Sequence, residues 1–212
     1  MGVEYVEFDI RRSADGLFVV HHDERIGRSG PRIAELNHAE LCAGAGYEVP
    51  TMVNVLALLA PCSIAHLDIK DTGHEVDAVK IALDAVGLDA FVASTAGDHS
   101  IAAIRAHEPK VQTALSLGQR LRGHTRPRAR PRPREDCSIR RMVHSGCRWV
   151  VINHLLVTGG LLRNCTARGI GVMVWTVNDP RRVRKYLTDN RIDVVITDRP
   201  ELALSIRAAL PS

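Results

Sequence analysis

Glu7 and Asp9 lie two residues apart in the run Tyr5-Val6-Glu7-Phe8-Asp9-Ile10, where the period of a β-strand turns both carboxylates to one side. Inside a barrel that side is the interior, where unpaired charge is costly. Two inward acids near the C-terminal end of a strand call for a cation, which makes Glu7 and Asp9 candidate ligands of a hard divalent metal. The plainer alternative is an edge strand carrying two solvated acids. A second element, Leu17-Phe18-Val19-Val20-His21-His22-Asp23, ends in an imidazole. Beside a carboxylate pair, His22 is a general acid/base candidate, and His21 alternates to the opposite face. The third element is His66-Leu67-Asp68-Ile69-Lys70. Asp68 and Lys70 share a face, with Asp68 suited to complete a metal shell and Lys70 to neutralise an anionic substrate oxygen. A structural Asp68–Lys70 ion pair is the competing assignment.

These residues need elements to hold them. Strands are expected at Tyr5–Ile10, Leu17–His21, Ile64–Ile69, Ala90–Ser94, Val111–Leu115, Trp149–Ile152, Gly171–Val177 and Val194–Thr197. Helical patterns fall at Thr51–Ala60, Glu75–Val86, Ser100–His107, Cys137–Ser145, Leu161–Arg168, Arg181–Asp189 and Glu201–Leu210. Strand and helix alternate, which implies a mainly parallel sheet. One connection differs: Asp15-Gly16 is a hairpin turn signal, so the Leu17 strand returns antiparallel and brings the His22 end back toward Asp9. With that arm set aside, the βα strands fall one unit short of a closed eight-stranded barrel, and the chain is shorter than the usual ~250 residues.

The sequence resembles the glycerophosphodiester phosphodiesterase family. The matching stretches are GVEYVEFDIRRSADGLFVVHHD, EVPTMVNVLALL, AHLDIK, VMVWTVND and DVVITDRP, in family order and at family-like spacing. The resemblance spans essentially the whole chain. It implies a TIM (β/α)8-type barrel that uses a divalent cation, Mg2+ or Ca2+, to hydrolyse glycerophosphodiesters to glycerol 3-phosphate and an alcohol, in phospholipid breakdown. By motif, Glu7 and Asp9 match the family's acid-x-acid metal ligands, His22 a catalytic histidine, and Asp68 and Lys70 its Glu-x-Lys pair. Trp175 looks like the family's pocket aromatic near the glycerol moiety. Asp68 stands where the family usually has Glu, which shortens that ligand arm by one methylene. Family members also open with a strand ending in His-Arg-Gly and then a Glu-Asn-Thr segment, and this chain begins after both. The expectation is a barrel with its first βα unit missing through a late start, in which His22 would serve without its partner histidine. A non-catalytic barrel binding phosphorylated ligands is the alternative.

Composition bounds the rest. The chain has 212 residues, 45% hydrophobic and 25% charged, enough for one sizeable core, and residues 1–212 are expected to form one domain. The longest apolar stretches, such as Val53–Cys62, are about half the ~20 residues that span a bilayer. The first residues lack the form of a signal peptide, so a cytoplasmic enzyme is expected. Five cysteines without a CxxC pair indicate neither a disulfide framework nor a thiolate zinc site, and most are expected to be buried. The seven arginines within 120–134, RLRGHTRPRARPRPR, exceed the whole formal surplus of +4, so the rest of the chain is net acidic. The prolines there exclude a regular helix and point to an exposed inserted loop. It carries no aromatics for base stacking, so no nucleic-acid partner is expected; the resemblance implies a small-molecule diester as the partner. No Walker loop, dinucleotide fingerprint or GxSxG elbow occurs. The oligomeric state stays open.

Overall fold

In a computed structural model, which describes residues 2–118 and 135–211, the acid-bearing run forms strand β1, Tyr5–Arg12. Its alternation is physical: Phe8 and Ile10 are buried in an apolar cluster, while Glu7 and Asp9 lie on the other face. Gly16 takes a φ of +87°, which a residue with a Cβ rarely adopts, and turns the chain into β2, Phe18–Val20. β2 pairs antiparallel with β1, Ile10 opposite Val20, as the Asp15-Gly16 signal implies. The 120–134 stretch, expected to be an exposed loop, lies outside the described residues.

The chain packs as two compact units, Gly2–Thr95 with Ala102–Gln112, and Ala96–Ile101 with Thr113–Ser212. In the first, β3 (Ile64–Ile69) pairs parallel with β1 and with β4 (Phe91–Thr95). Ala65, Leu67, Ile69, Phe91 and Ala93 point with Phe8 and Ile10 into a core shared with Met52 and Leu56 of α2 (Met52–Leu59) and Ala78, Val79 and Ala82 of α3 (Glu75–Val86). One helix was not expected: α1, His38–Ala45, opened by an Asn37/Glu40 capping box and closed by Gly46 in the left-handed region. Asn-x-x-Glu was the available signal. The eight-residue span is rich in Ala and Gly and has no clear apolar stripe. Only Leu41 is buried, joining Val19, Ile33 and Val49 in a small satellite cluster.

The second unit holds β5 (Gln112–Leu117, from Thr113 onward), β6 (Trp149–Asn153), β7 (Gly171–Trp175) and β8 (Val194–Val195), paired parallel in that order. With them go α5 (Glu135–Ser145), α6 (Gly159–Ala167), α7 (Pro180–Leu187) and α8 (Pro200–Ala208) around a separate apolar core. The remaining helix, α4, is Asp98–His107. The α/β alternation is therefore as expected, with strand and helix limits shifted by a few residues.

The cysteine expectation needs correcting. All five are free; Cys147 and Cys165 are buried, but Cys62 and Cys137 are exposed and Cys42 is half-buried. Cys62 follows the end of α2 and Cys137 lies in the first turns of α5, where neighbours on the chain do not cover them.

Candidate active site

The parallel register of β1 and β3 sets Asp9 beside Asp68 and Glu7 beside His66, and that of β3 and β4 sets Asp68 beside Ser94. The face opposite the apolar core thus carries the polar row Asp9-Asp68-Ser94 and, beside it, Glu7-His66-Val92, which ends in a buried apolar residue. Glu7, Asp9 and Asp68 each place a carboxylate oxygen within 4.8 Å of the others. Lys70 follows the last residue of β3, and its ammonium lies 2.5 Å from Asp9 and also pairs with Asp68. The Lys70 side chain is only 7% exposed. Three carboxylates and one ammonium leave a formal charge of −2, which one divalent cation balances. The donors are all oxygens, the set that Mg2+ and Ca2+ take, so these residues fit a hard divalent cation.

The hairpin brings its return arm to the same level. His21 donates its amide to the Asp9 carbonyl at 3.0 Å, and Arg11 Nε donates to the His22 carbonyl at 3.1 Å. β2 ends at Val20, short of the expected His21, because the chain bends at His22–Glu24. There the His21 ring bonds the Asp23 carbonyl at 2.8 Å and the His22 Nδ1 meets the Asp23 carboxylate at 2.6 Å. Strand alternation therefore does not run through His22. The imidazole beside Asp23 holds that carboxyl below the usual aspartate range.

Arg11 shares the face of Glu7 and Asp9 and pairs with Asp71 at 2.5 Å, while the other Asp71 oxygen accepts the Arg12 amide at 2.9 Å. One guanidinium thus ties the end of β1 to the turn after β3 and to the hairpin arm. Behind the acids, His66 is buried and its Nε2 lies 2.9 Å from Ser94 Oγ. Burial, outweighing the pull of Asp68, brings the His66 imidazole down to about 4, so it is neutral at pH 7.

Residues 1–202 match the sequence profile of the glycerophosphoryl diester phosphodiesterase family. The chain belongs to that family. A curated Mycobacterium tuberculosis protein named "Probable glycerophosphodiester phosphodiesterase 2" is 28% identical over 221 residues, covering 99% of this chain and 81% of the relative. Among crystal structures, one from Agrobacterium tumefaciens has a TM-score of 0.81 at 21% identity, over 98% of this chain and 87% of its own. A phosphodiesterase from Oleispira antarctica, solved with the product sn-glycerol-3-phosphate, has a TM-score of 0.77 at 20% identity, over 98% and 86%. These likenesses establish the α/β barrel-type fold expected for a glycerophosphoryl diester phosphodiesterase.

In this family member Trp175 closes β7 within the second unit. Its indole donates to the Val151 carbonyl at 3.2 Å, and its own carbonyl accepts the His154 amide at 2.8 Å. Nearby, Asn178 accepts from Thr197 Oγ1 and the Asp198 amide and donates to the Asp198 carboxylate, clasping the ends of β7 and β8. Sequence reasoning missed Arg11, Asp71, His66 and Ser94. Arg11 was detectable as the next residue on the Glu7/Asp9 face. Ser94 was not, since only strand register places it beside Asp68. Among the described residues no helix is long and apolar enough to cross a membrane.

Proposed function

We propose that the chain hydrolyses glycerophosphodiesters to glycerol 3-phosphate and an alcohol, with a divalent cation, Mg2+ or Ca2+, held by Glu7, Asp9 and Asp68. The observation that carries this reading is the carboxylate triad that β1 and β3 bring together, within 4.8 Å, in a chain of this family. A bound cation would supply positive charge to the phosphoryl oxygens. Lys70, once its carboxylate partners turn to the metal, neutralises charge that develops on those oxygens. The Nδ1–H of His22 held on Asp23 keeps the ring in the tautomer whose Nε2 exchanges the proton. That proton passes to the departing alkoxide as the phosphorus–oxygen bond breaks, and water supplies the hydroxyl that phosphorus gains, its other proton passing to the His22 Nε2 left bare. The phosphodiesterase name of the curated relative and the glycerol 3-phosphate product in the Oleispira structure support this substrate class.

The test is release of glycerol 3-phosphate from glycerophosphocholine, with and without Mg2+ or Ca2+ and with EDTA. Turnover that needs added cation, and falls by ~10²-fold or more in Glu7→Gln and in His22→Ala, is expected. A folded chain that binds the cation and the diester but turns neither over would leave a phosphorylated-ligand binder instead.

A further inference from the structure

We propose that Ser94, oriented by His66, is a positioning residue that fixes the Asp68 carboxylate for the cation; the inference rests on the metal-dependent reading above. Ser94 and His66 are each 1% exposed, so neither trades its partner for solvent, while Asp68 is 8% exposed. Ser94 Oγ lies 2.9 Å from His66 Nε2, 3.2 Å from Asp68 Oδ1 and 3.3 Å from the Leu67 carbonyl. A hydroxyl has one proton to give. Asp68 Oδ1, when ionised, and the Leu67 carbonyl only accept, so the Ser94 proton belongs on that side, and the charge-assisted bond to Asp68 is the stronger one. His66 Nε2 must then be the protonated nitrogen and donate to Ser94 Oγ. This arrangement also accounts for His66 Nδ1, buried and without a hydrogen-bond partner among the described residues. It carries a lone pair, and the ring's one N–H is spent on Ser94. With the opposite tautomer, two acceptor oxygens would face each other at 3.2 Å and an N–H would be buried with nothing to receive it.

The consequence concerns Asp68. Lys70 takes its Oδ2 and Ser94 its Oδ1, so the carboxylate is held on both oxygens before any cation arrives. Lys70 pairs with Asp9 as well and must give way when a cation enters. Ser94 has no such competing role, and it is the partner that keeps Asp68 aimed once the metal is in place. Partners of this kind, behind the ligands themselves, typically tune metal affinity 10–100-fold.

The measurement is calorimetric titration of Ca2+ and of Mg2+ into the full chain. Ser94→Ala is expected to raise Kd by ~10-fold or more, and His66→Leu, which removes only the donor to Ser94, by less. Ser94→Thr keeps the hydroxyl and Ser94→Val has the same shape without it, so Thr should bind more tightly than Val even if both perturb the fold. Saturating cation should return the kcat of Ser94→Ala toward the parent value, which a general structural lesion would not allow. Parent-like Kd in Ser94→Ala, or equal Kd in the Thr and Val variants, overturns the proposal. Asp68→Asn reports on the underlying reading separately: parent-like Kd there means that Asp68 is not a ligand and that both fail.

Discussion

The Lys70 ammonium lies 2.5 Å from the Asp9 carboxylate, with Asp68 on its other side, so that one buried cation of the chain spans two of the three acids offered to a metal. Removing that ammonium leaves half-buried Asp9 facing buried Asp68, with exposed Glu7 beside them. Losing one partner of a buried pair typically costs ~3–5 kcal/mol. Lys70→Met is therefore expected to lower stability by about 3 kcal/mol in EDTA, and to regain much of it when Mg2+ or Ca2+ binds the folded state. Urea unfolding of both proteins with EDTA and with saturating cation measures this. A loss that cation does not relieve would mean that the acids do not converge on a common ion.

The Arg11 guanidinium holds Asp71 at 2.5 Å and the His22 carbonyl at 3.1 Å, with 14% and 27% of the Arg11 and Asp71 side chains exposed. Charged hydrogen bonds of this kind contribute ~1.5–3 kcal/mol each when little screened. Arg11→Ala is expected to cost about 2 kcal/mol and to free the end of the hairpin. Amide hydrogen exchange should then speed up across residues 21–24 while α3 keeps its protection. Unchanged exchange there would show that backbone pairing alone holds the arm.

His154 supplies a pH dependence with a definite sign. Burial, reinforced by the charge of Arg182, holds its imidazole below the usual histidine value. The unfolded chain then takes up a proton near pH 6.5 that the folded chain takes up only at lower pH. This histidine contributes no pH dependence well above 6.5, and it destabilises progressively as pH falls from there toward the folded value. In urea unfolding between pH 7.5 and 5.5, His154→Gln should lose less stability than the parent. An equal or steeper loss in the variant would contradict the assignment.

Cysteine reactivity should follow burial. Burial pushes the Cys165 thiol up to about 11, and Cys147 is also buried, whereas Cys62 and Cys137 are exposed. Half-buried Cys42 accepts the Val49 amide at 3.3 Å. Titration with Ellman's reagent at pH 8 is expected to give two fast equivalents and one slower, with the last two appearing only on unfolding. Fast reaction of four or five thiols would place Cys147 or Cys165 at the surface.

By itself, the sequence determined whatever depends on neighbours along the chain. The side shared by Glu7 and Asp9 follows from strand alternation, the hairpin from Asp15-Gly16, and α3 from its apolar spacing, and Glu75–Val86 is bounded as read. The family was legible too, because its motifs are local. What local pattern did not reach was α1, whose eight residues bury little, and the end of β2, where the bend at Asp23 stops the alternation that was to orient His22. The tertiary structure alone decided which residues face each other across strands. Asp9, Asp68 and Ser94 stand in a row because Phe8 and Ile10 of β1, Leu67 and Ile69 of β3, and Phe91 and Ala93 of β4 must all enter one apolar core. A slip of one residue would turn those side chains outward and the acids inward. Burial of that core over separations of many tens of residues therefore sets the register, and the register sets Lys70 between Asp9 and Asp68 and Ser94 behind Asp68.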